Sequence, residues 1–482
     1  MQPTRRQMLS AATCGFGSIA LSDLLCRARD LAGGSAAGPA NGNAMPGPLA
    51  PKTPHHMPKA DHFIFLHMRG GPSAMETFER KPELDKQANR NASTSANDAK
   101  PAKGKKPRRQ LTPSHWKWKQ RGESGLWVSD LLKHTAEVAD ELCVLSGMHT
   151  DIGNHTPAML QLHTGSFTFT RPSLGSWLLY GLGTENQNLP GFVSISPPVI
   201  NGGAKNYGTA FLPAVFQGTA IGDIKTPVKN ASVGNLSNPL LNRRQQSRQI
   251  ELLQSMNRDL AEQMNPADTS QVDAVIDSYE LGFRMQSELP SVMNLADESQ
   301  ATLDLYGIGN GKPSDNFGRQ CLLARRMVEA GVRHIELCDE FWDQHNNLVS
   351  GHNARAAATD QPIAGLIKDL RQRGLLERTL VLWGGEFGRT PDTAKENLDG
   401  RDHNPNGYTM WMAGGGVRGG FQYGSTDELG YKAVEGRVHL HDLHATVLHL
   451  MGLDHKQLTF NYAGRDFRLT DVHGNVVNEV IA

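Results

Sequence analysis

Short apolar runs that stop abruptly at glycine or a charged loop, alternating with stretches of helical period, constrain this chain more than any other feature. The run at 62–68 (HFIFLHM) ends in Arg69, Gly70, Gly71 and Pro72, as a buried strand does when it passes into a loop. Similar runs lie at 141–146, 192–195, 332–338, 379–383 and 408–412. Helical spacing covers 318–330 and 359–373. In the second, Ile363, Leu366, Ile367 and Leu370 share a face, and Pro362 falls in the first turn, where its missing N–H does no harm. Alternation at these lengths predicts an α/β fold with a central, mostly parallel sheet flanked by helices. Chemistry is then expected at the carboxyl ends of the strands.

Balanced charge, 49 Lys or Arg against 49 Asp or Glu, argues against a chain that coats nucleic acid, and no specific nucleic-acid partner is expected. Its 482 residues can bury a large core. Arg5 and Arg6 followed by a mildly apolar stretch at 11–25 suit a twin-arginine signal over 1–33, which implies export to the periplasm or beyond. Residues 34–58, rich in Gly, Ala and Pro, are expected to be a linker, and the domain to occupy 59–482. No later stretch is apolar enough to form a stable transmembrane anchor. Two segments break the strand–helix rhythm. The polar, basic stretch at 81–121 is expected to be a disordered, solvated insertion, with Trp116 and Trp118 leaving an anionic-polymer contact open. Residues from about 200 to 300 suggest a helical cap, carrying helical spacing at Leu252, Leu253, Met256, Leu260 and Met264.

The five cysteines form no C-x-x-C pair, so a metal site has to use imidazole and carboxylate. Residues 339–352 (DEFWDQHNNLVSGH) concentrate Asp343, His345 and His352, with Asp339 and Glu340, in a loop after a strand, a donor set that suits zinc or another divalent ion. After the next strand, Gly384 and Gly385 let Glu386 project over the sheet edge, and Arg389 is placed to clamp an anionic oxygen pair. The loop GRDHNP (400–405) offers Arg401 for the same task and His403 as a further ligand. Thr156, just before Pro157, caps a predicted helix and is a candidate nucleophile in the positive field of its N-terminus. Ser73 and Glu76 are the corresponding residues after the first strand, Glu76 being the metal candidate. Asp442 is expected to cap a helix, while His441 and His444 leave ligation and structural bonding equally open.

Together HFIFLHMRGGPSAMETF (62–78), RPSLGSWLLYGLG (171–183), GGEFGRTP (384–391), GRDHNP (400–405), WMAGGGVRGG (411–420) and HDLHATVLHLMGLDH (441–455) resemble the DUF1501 family of exported bacterial proteins. That family is placed with the alkaline phosphatase and sulfatase superfamily. The resemblance implies a central mixed sheet and an ancestral two-metal hydrolase of phosphate or sulfate esters, holding one or two divalent ions, zinc foremost with calcium or magnesium as alternatives. It assigns Asp343 with His345 or His352 to one metal, closed by His403, and sets Glu386 where the superfamily has a metal-binding Asp. Two positions depart from the superfamily pattern: Phe387 rather than His follows Glu386, and Glu76 lies eight residues past Met68. No C/S-x-P-x-R pattern for formylglycine chemistry lies near these residues. The expected function is an exported metal-dependent hydrolase of small-molecule or glycan esters. The alternative is a noncatalytic exported protein that keeps the fold and binds an anionic glycan or a protein partner.

Overall fold

The computed structural model describes residues 47–88, 109–234, 240–262, 266–394 and 399–482. The signal assigned to 1–33 lies outside them. Pro48–Ser237 with Asp273–Ala482 forms one compact unit, and the helix Arg243–Glu262 belongs to a separate one.

The larger unit is mixed α/β, built on a nine-stranded sheet. Its strands are β1 (His62–Met68), β2 (Leu142–His149), β3 (Phe192–Ile195), β4 (Thr219–Ile221), β5 (His334–Asp339), β6 (Thr379–Gly384), β7 (Tyr408–Ala413), β8 (Phe421–Tyr423) and β9 (Val438–His439). They lie in the order β8-β2-β7-β6-β1-β5-β3-β4, with β9 also paired to β2. Only β7 runs against the others. The central strands β5 and β6 are buried along their whole length, as strands covered on both faces are. The helices α1 (His155–Thr164), α2 (Leu174–Leu182), α3 (Asp315–Glu329), α4 (Leu348–Gln372) and α5 (Leu440–Leu450) supply much of that cover. Because β7 is antiparallel, the loop entering it lies at the same rim as the loops leaving β1, β2, β5 and β6.

The expected strands and the mostly parallel sheet are present, with ends shifted by a few residues. Four expectations are corrected. Helix α4 starts at Leu348, not at 359, and Pro362 lies in its interior. Ala354, Ala356, Ala357 and Ala358 favour helix strongly enough to carry it through the proline. His352 is therefore helical rather than part of a loop. The expected linker is ordered from Pro48 onwards: Leu49 is buried, Lys52 N–H donates to the Leu182 carbonyl, and His55 N–H donates to that of Gly452. The described part of the basic insertion is likewise ordered. Arg109–Leu111 pairs with Asp392–Ala394, and Trp118–Arg121 pairs with Leu126–Ser129. Residues 200–300 include the edge strand β4 as well as the helices Arg243–Glu262 and Pro266–Met293.

Across β6 and β7, Trp383 and Trp411 stand opposite each other with rings stacked 6.0 Å apart. Trp411 is wholly buried. Replacing it with Ala is expected to cost about 3–5 kcal/mol, read as a lowered urea midpoint in equilibrium unfolding.

Candidate metal centre

Three loops approach one another at the rim because of a glycine pair. Gly70 and Gly71 adopt φ +112° and +86°, and a Cβ on them would lie 2.6 Å from the Asp343 backbone nitrogen and 2.5 Å from the Phe387 carbonyl oxygen. The loops after β1, β5 and β6 therefore touch through bare backbone. The fully buried Arg389 guanidinium locks them, donating to the carbonyls of Gly70, Gly71 and Arg401 and, at 2.6 Å, to Asp343 Oδ1.

Asp343 is the focus of three imidazoles. His155 Nε2 lies 3.1 Å from Oδ2, and His403 Nε2 and His345 Nε2 lie 3.1 and 3.2 Å from Oδ1. The Nε2 atoms of His345 and His403 are 3.0 Å apart. Each ring has its other nitrogen committed to an acceptor: His155 Nδ1 to Glu386 Oε1 at 2.6 Å, His345 Nδ1 to Asp402 Oδ1 at 2.9 Å, and His403 Nδ1 to the Gly153 carbonyl at 2.7 Å. Those acceptors require Nδ1–H, so a neutral ring turns a bare Nε2 lone pair toward the Asp343 carboxylate. This is the orienting pattern around metal-binding histidines. His155 Nε2, although close to Asp343, makes no hydrogen bond. Zinc bonds of about 2.0–2.1 Å imply ligand separations of about 3.3 Å; donor atoms of His155, Asp343 and His403 all lie within 4.8 Å of one another, a set that does not take in His345. Without a cation, protons meet the charge. Asp343, then Asp402, push the His345 pKa up to about 9. Burial opposes the charge on Asp343, but its three imidazoles and Arg389 hold it well below the usual carboxylate range.

The expected residues divide. Asp343, His345 and His403 converge, and Glu386 stands just behind them. It is fully buried, accepts the Gly70 N–H at 3.1 Å and orients His155. Arg389 holds Asp343 instead of presenting free donors. Glu76 and Arg401 are not at the centre. They form a fully buried pair, Glu76 Oε1 accepting from Arg401 Nε at 3.0 Å and Nη2 at 2.7 Å, and Arg401 spends its other donors on the carbonyls of Thr390, Thr112 and Pro113. His352, on α4, accepts the Ser73 N–H at 3.3 Å, and burial takes its pKa down to about 3. Thr156 is exposed in the first turn of α1, its hydroxyl donating to Asn201 Oδ1 at 3.0 Å. His441 and His444 bond the carbonyls of Gly165 and Leu162, and Asp442 closes a capping box with His439.

His155, Asp402 and Arg109 belong to the site without having been singled out. Arg109 bridges Asp392 and Asp402 at 2.7 and 2.5 Å. The overlooked signal for His155 was its place beside the cap of α1, directly after the strand-end loop. For His67, His163 and Glu336, which form a second, buried group, it was a polar side chain on an otherwise apolar strand or helix face.

Residues 60–481 match the family described as "Protein of unknown function (DUF1501)", and the chain belongs to that family. No curated protein matches it in sequence. Among solved structures it is similar to the lipoteichoic acid synthase LtaP from Listeria monocytogenes, with 8% identity, 86% of this chain and 74% of that one covered, and a TM-score of 0.34. It is also similar to the PsFucS1 sulfatase from Pseudoalteromonas sp. (12% identity, 82% and 68% covered, TM-score 0.34). A third similarity is to the alkaline phosphatase of the Antarctic bacterium TAB5 (11%, 76% and 93%, 0.30).

Two outcomes are expected. Glu76→Ala removes the carboxylate partner of a buried guanidinium and should cost about 3–5 kcal/mol in chemical unfolding. Burial pushes the Asp339 carboxyl up to about 7. A folded pKa raised above the unfolded value gives stability that is present below the unfolded pKa and lost as pH rises through the folded one. The stability of wild type relative to Asp339→Asn should therefore fall as pH rises from about 4 to 7, as read from urea midpoints across that range.

Proposed function

We propose that this protein is an exported, metal-dependent hydrolase of phosphate or sulfate esters. The observation that carries the reading is the set of three imidazoles, each fixed at Nδ1 by an acceptor and each turning Nε2 to one carboxylate. Three nitrogens and an oxygen suit zinc better than magnesium or calcium, which take oxygen shells. When bound, a zinc-class ion supplies Lewis-acid polarisation of an ester oxygen.

The chain's own residues do the rest. Asp343, His155 and His403 would hold the ion, and His345, with its Nε2 3.0 Å from that of His403, would supply the third imidazole. Glu386, Asp402 and the Gly153 carbonyl orient the imidazoles, and Arg389 holds the Asp343 carboxylate in place. Arg389 and Arg401 are consumed by internal acceptors, so the substrate anion is met by the ion and by the amides at the N-terminus of the ten-residue helix α1. Thr156, next to His155 and exposed in that first turn, supplies the attacking hydroxyl. The substrate is a small-molecule or glycan ester reached after twin-arginine export.

Turnover of aryl phosphate or aryl sulfate by the purified mature chain tests this. Chelator should abolish it, and Thr156→Ala should lower kcat roughly 10³-fold or more while Ser73→Ala leaves it unchanged. Asp402→Ala, which frees His345 Nδ1, should weaken zinc retention about 10–100-fold in a competition titration. A protein that retains zinc but turns over neither ester class is the noncatalytic binding protein instead.

A further inference from the structure

A second group of donors lies inside the larger unit. Residues paired across parallel strands face the same way, so Glu336 of β5, opposite Phe65, shares a sheet face with His67 of β1, two residues beyond Phe65. His163 of α1 packs over that face, its ring 5.9 Å from Phe65 and 5.0 Å from His67. Donor atoms of His67, His163 and Glu336 all lie within 4.8 Å of one another, and all three residues are buried.

Their hydrogen bonding does not close. His163 Nδ1 donates to the Met159 carbonyl at 2.8 Å, which leaves Nε2 facing Glu336 Oε1 at 3.0 Å, an acceptor. His67 Nε2 is buried without a hydrogen bond, 3.6 Å from Glu386 Oε2. Two wholly buried carboxylates, Glu336 and Glu386, thus flank two imidazoles, and buried charge is costly unless it is matched. A proton on His163 would pair Glu336 but leave His67 Nε2 without a partner. A cation between them engages every donor.

We propose that His67, His163 and Glu336 hold a second, structural divalent ion of the zinc class, with the Glu386 carboxylate, 3.6 Å from His67 Nε2, helping to balance its charge. Two imidazoles and a carboxylate suit zinc, and all three residues are buried, out of reach of substrate. Glu386 then lies between the two sites, bonded to His155 of the outer centre through Oε1 and facing His67 of the inner group with Oε2. The inner ion's role is structural, so the proposal stands apart from the ester chemistry.

The test is zinc content per chain by mass spectrometry after exhaustive dialysis of the full protein, with cobalt(II) absorption as a second readout. Wild type is expected to hold two equivalents. Asp343→Asn and Glu336→Gln should each hold one, and the double variant none. The cobalt band of the inner site should persist in Asp343→Asn and vanish in Glu336→Gln. One equivalent in wild type, lost in Asp343→Asn and kept in Glu336→Gln, overturns the inner site and spares the outer. The reverse pattern overturns the outer centre and spares the inner, and no zinc in any form overturns both. If Glu336→Gln does not fold, the wild-type count and the cobalt spectrum of Asp343→Asn decide, because that variant leaves the interior untouched.

Discussion

Arg389 is the joint on which the rim depends. Its buried guanidinium donates to carbonyls in the loop after β1 and in the loop entering β7, and to the Asp343 carboxylate after β5. Three chain segments far apart in sequence are thereby held at hydrogen-bond distance. A buried cation is tolerated only when its donors are satisfied, so the same contacts that keep the charge inside also set the position of the carboxylate. A lysine there could not serve several acceptors in one plane. The imidazoles extend this logic outward, since each is aimed by a partner on another loop.

Much of the architecture was legible because it is written in local pattern. Apolar runs bounded by glycine and charge located the strands from β1 to β7 apart from β4, a three-residue edge strand too short to carry a pattern. The rim followed from the parallel arrangement; Asp343, His345 and Glu386 were found because they follow strand ends, and His403 because it lies in the loop entering β7. What was not legible depends on long-range pairing. Nothing in Glu76 or Arg401 signals that they meet across 325 positions and neutralise each other. Nor does the basic composition of 81–121 indicate that Arg109 is drawn in by Asp392 and Asp402 and that Arg109–Leu111 pairs with Asp392–Ala394.

The misreadings share a physical cause. Arg389 and Arg401 were chosen for what their side chains can do in isolation, whereas their partners decide what they do in the fold. Arg401 is fully buried, with each of its three nitrogens already donating to Glu76 or to a carbonyl. His155, by contrast, stood one residue from a hydroxyl that drew attention first. A histidine is marked as a ligand by the acceptor at its far nitrogen, and that acceptor, Glu386, lies 231 positions away.

The short ribbon at the entrance has a consequence for how such chains diversify. Gly388 and Arg389 pair with Asn404 and His403, so both ends of the intervening excursion are pinned beside each other. Lengthening a loop whose ends are already joined adds little closure entropy, roughly 0.6 kcal/mol for each doubling. Relatives can therefore rebuild this excursion by insertion or deletion while the arginine and the imidazole at its two roots stay where they are.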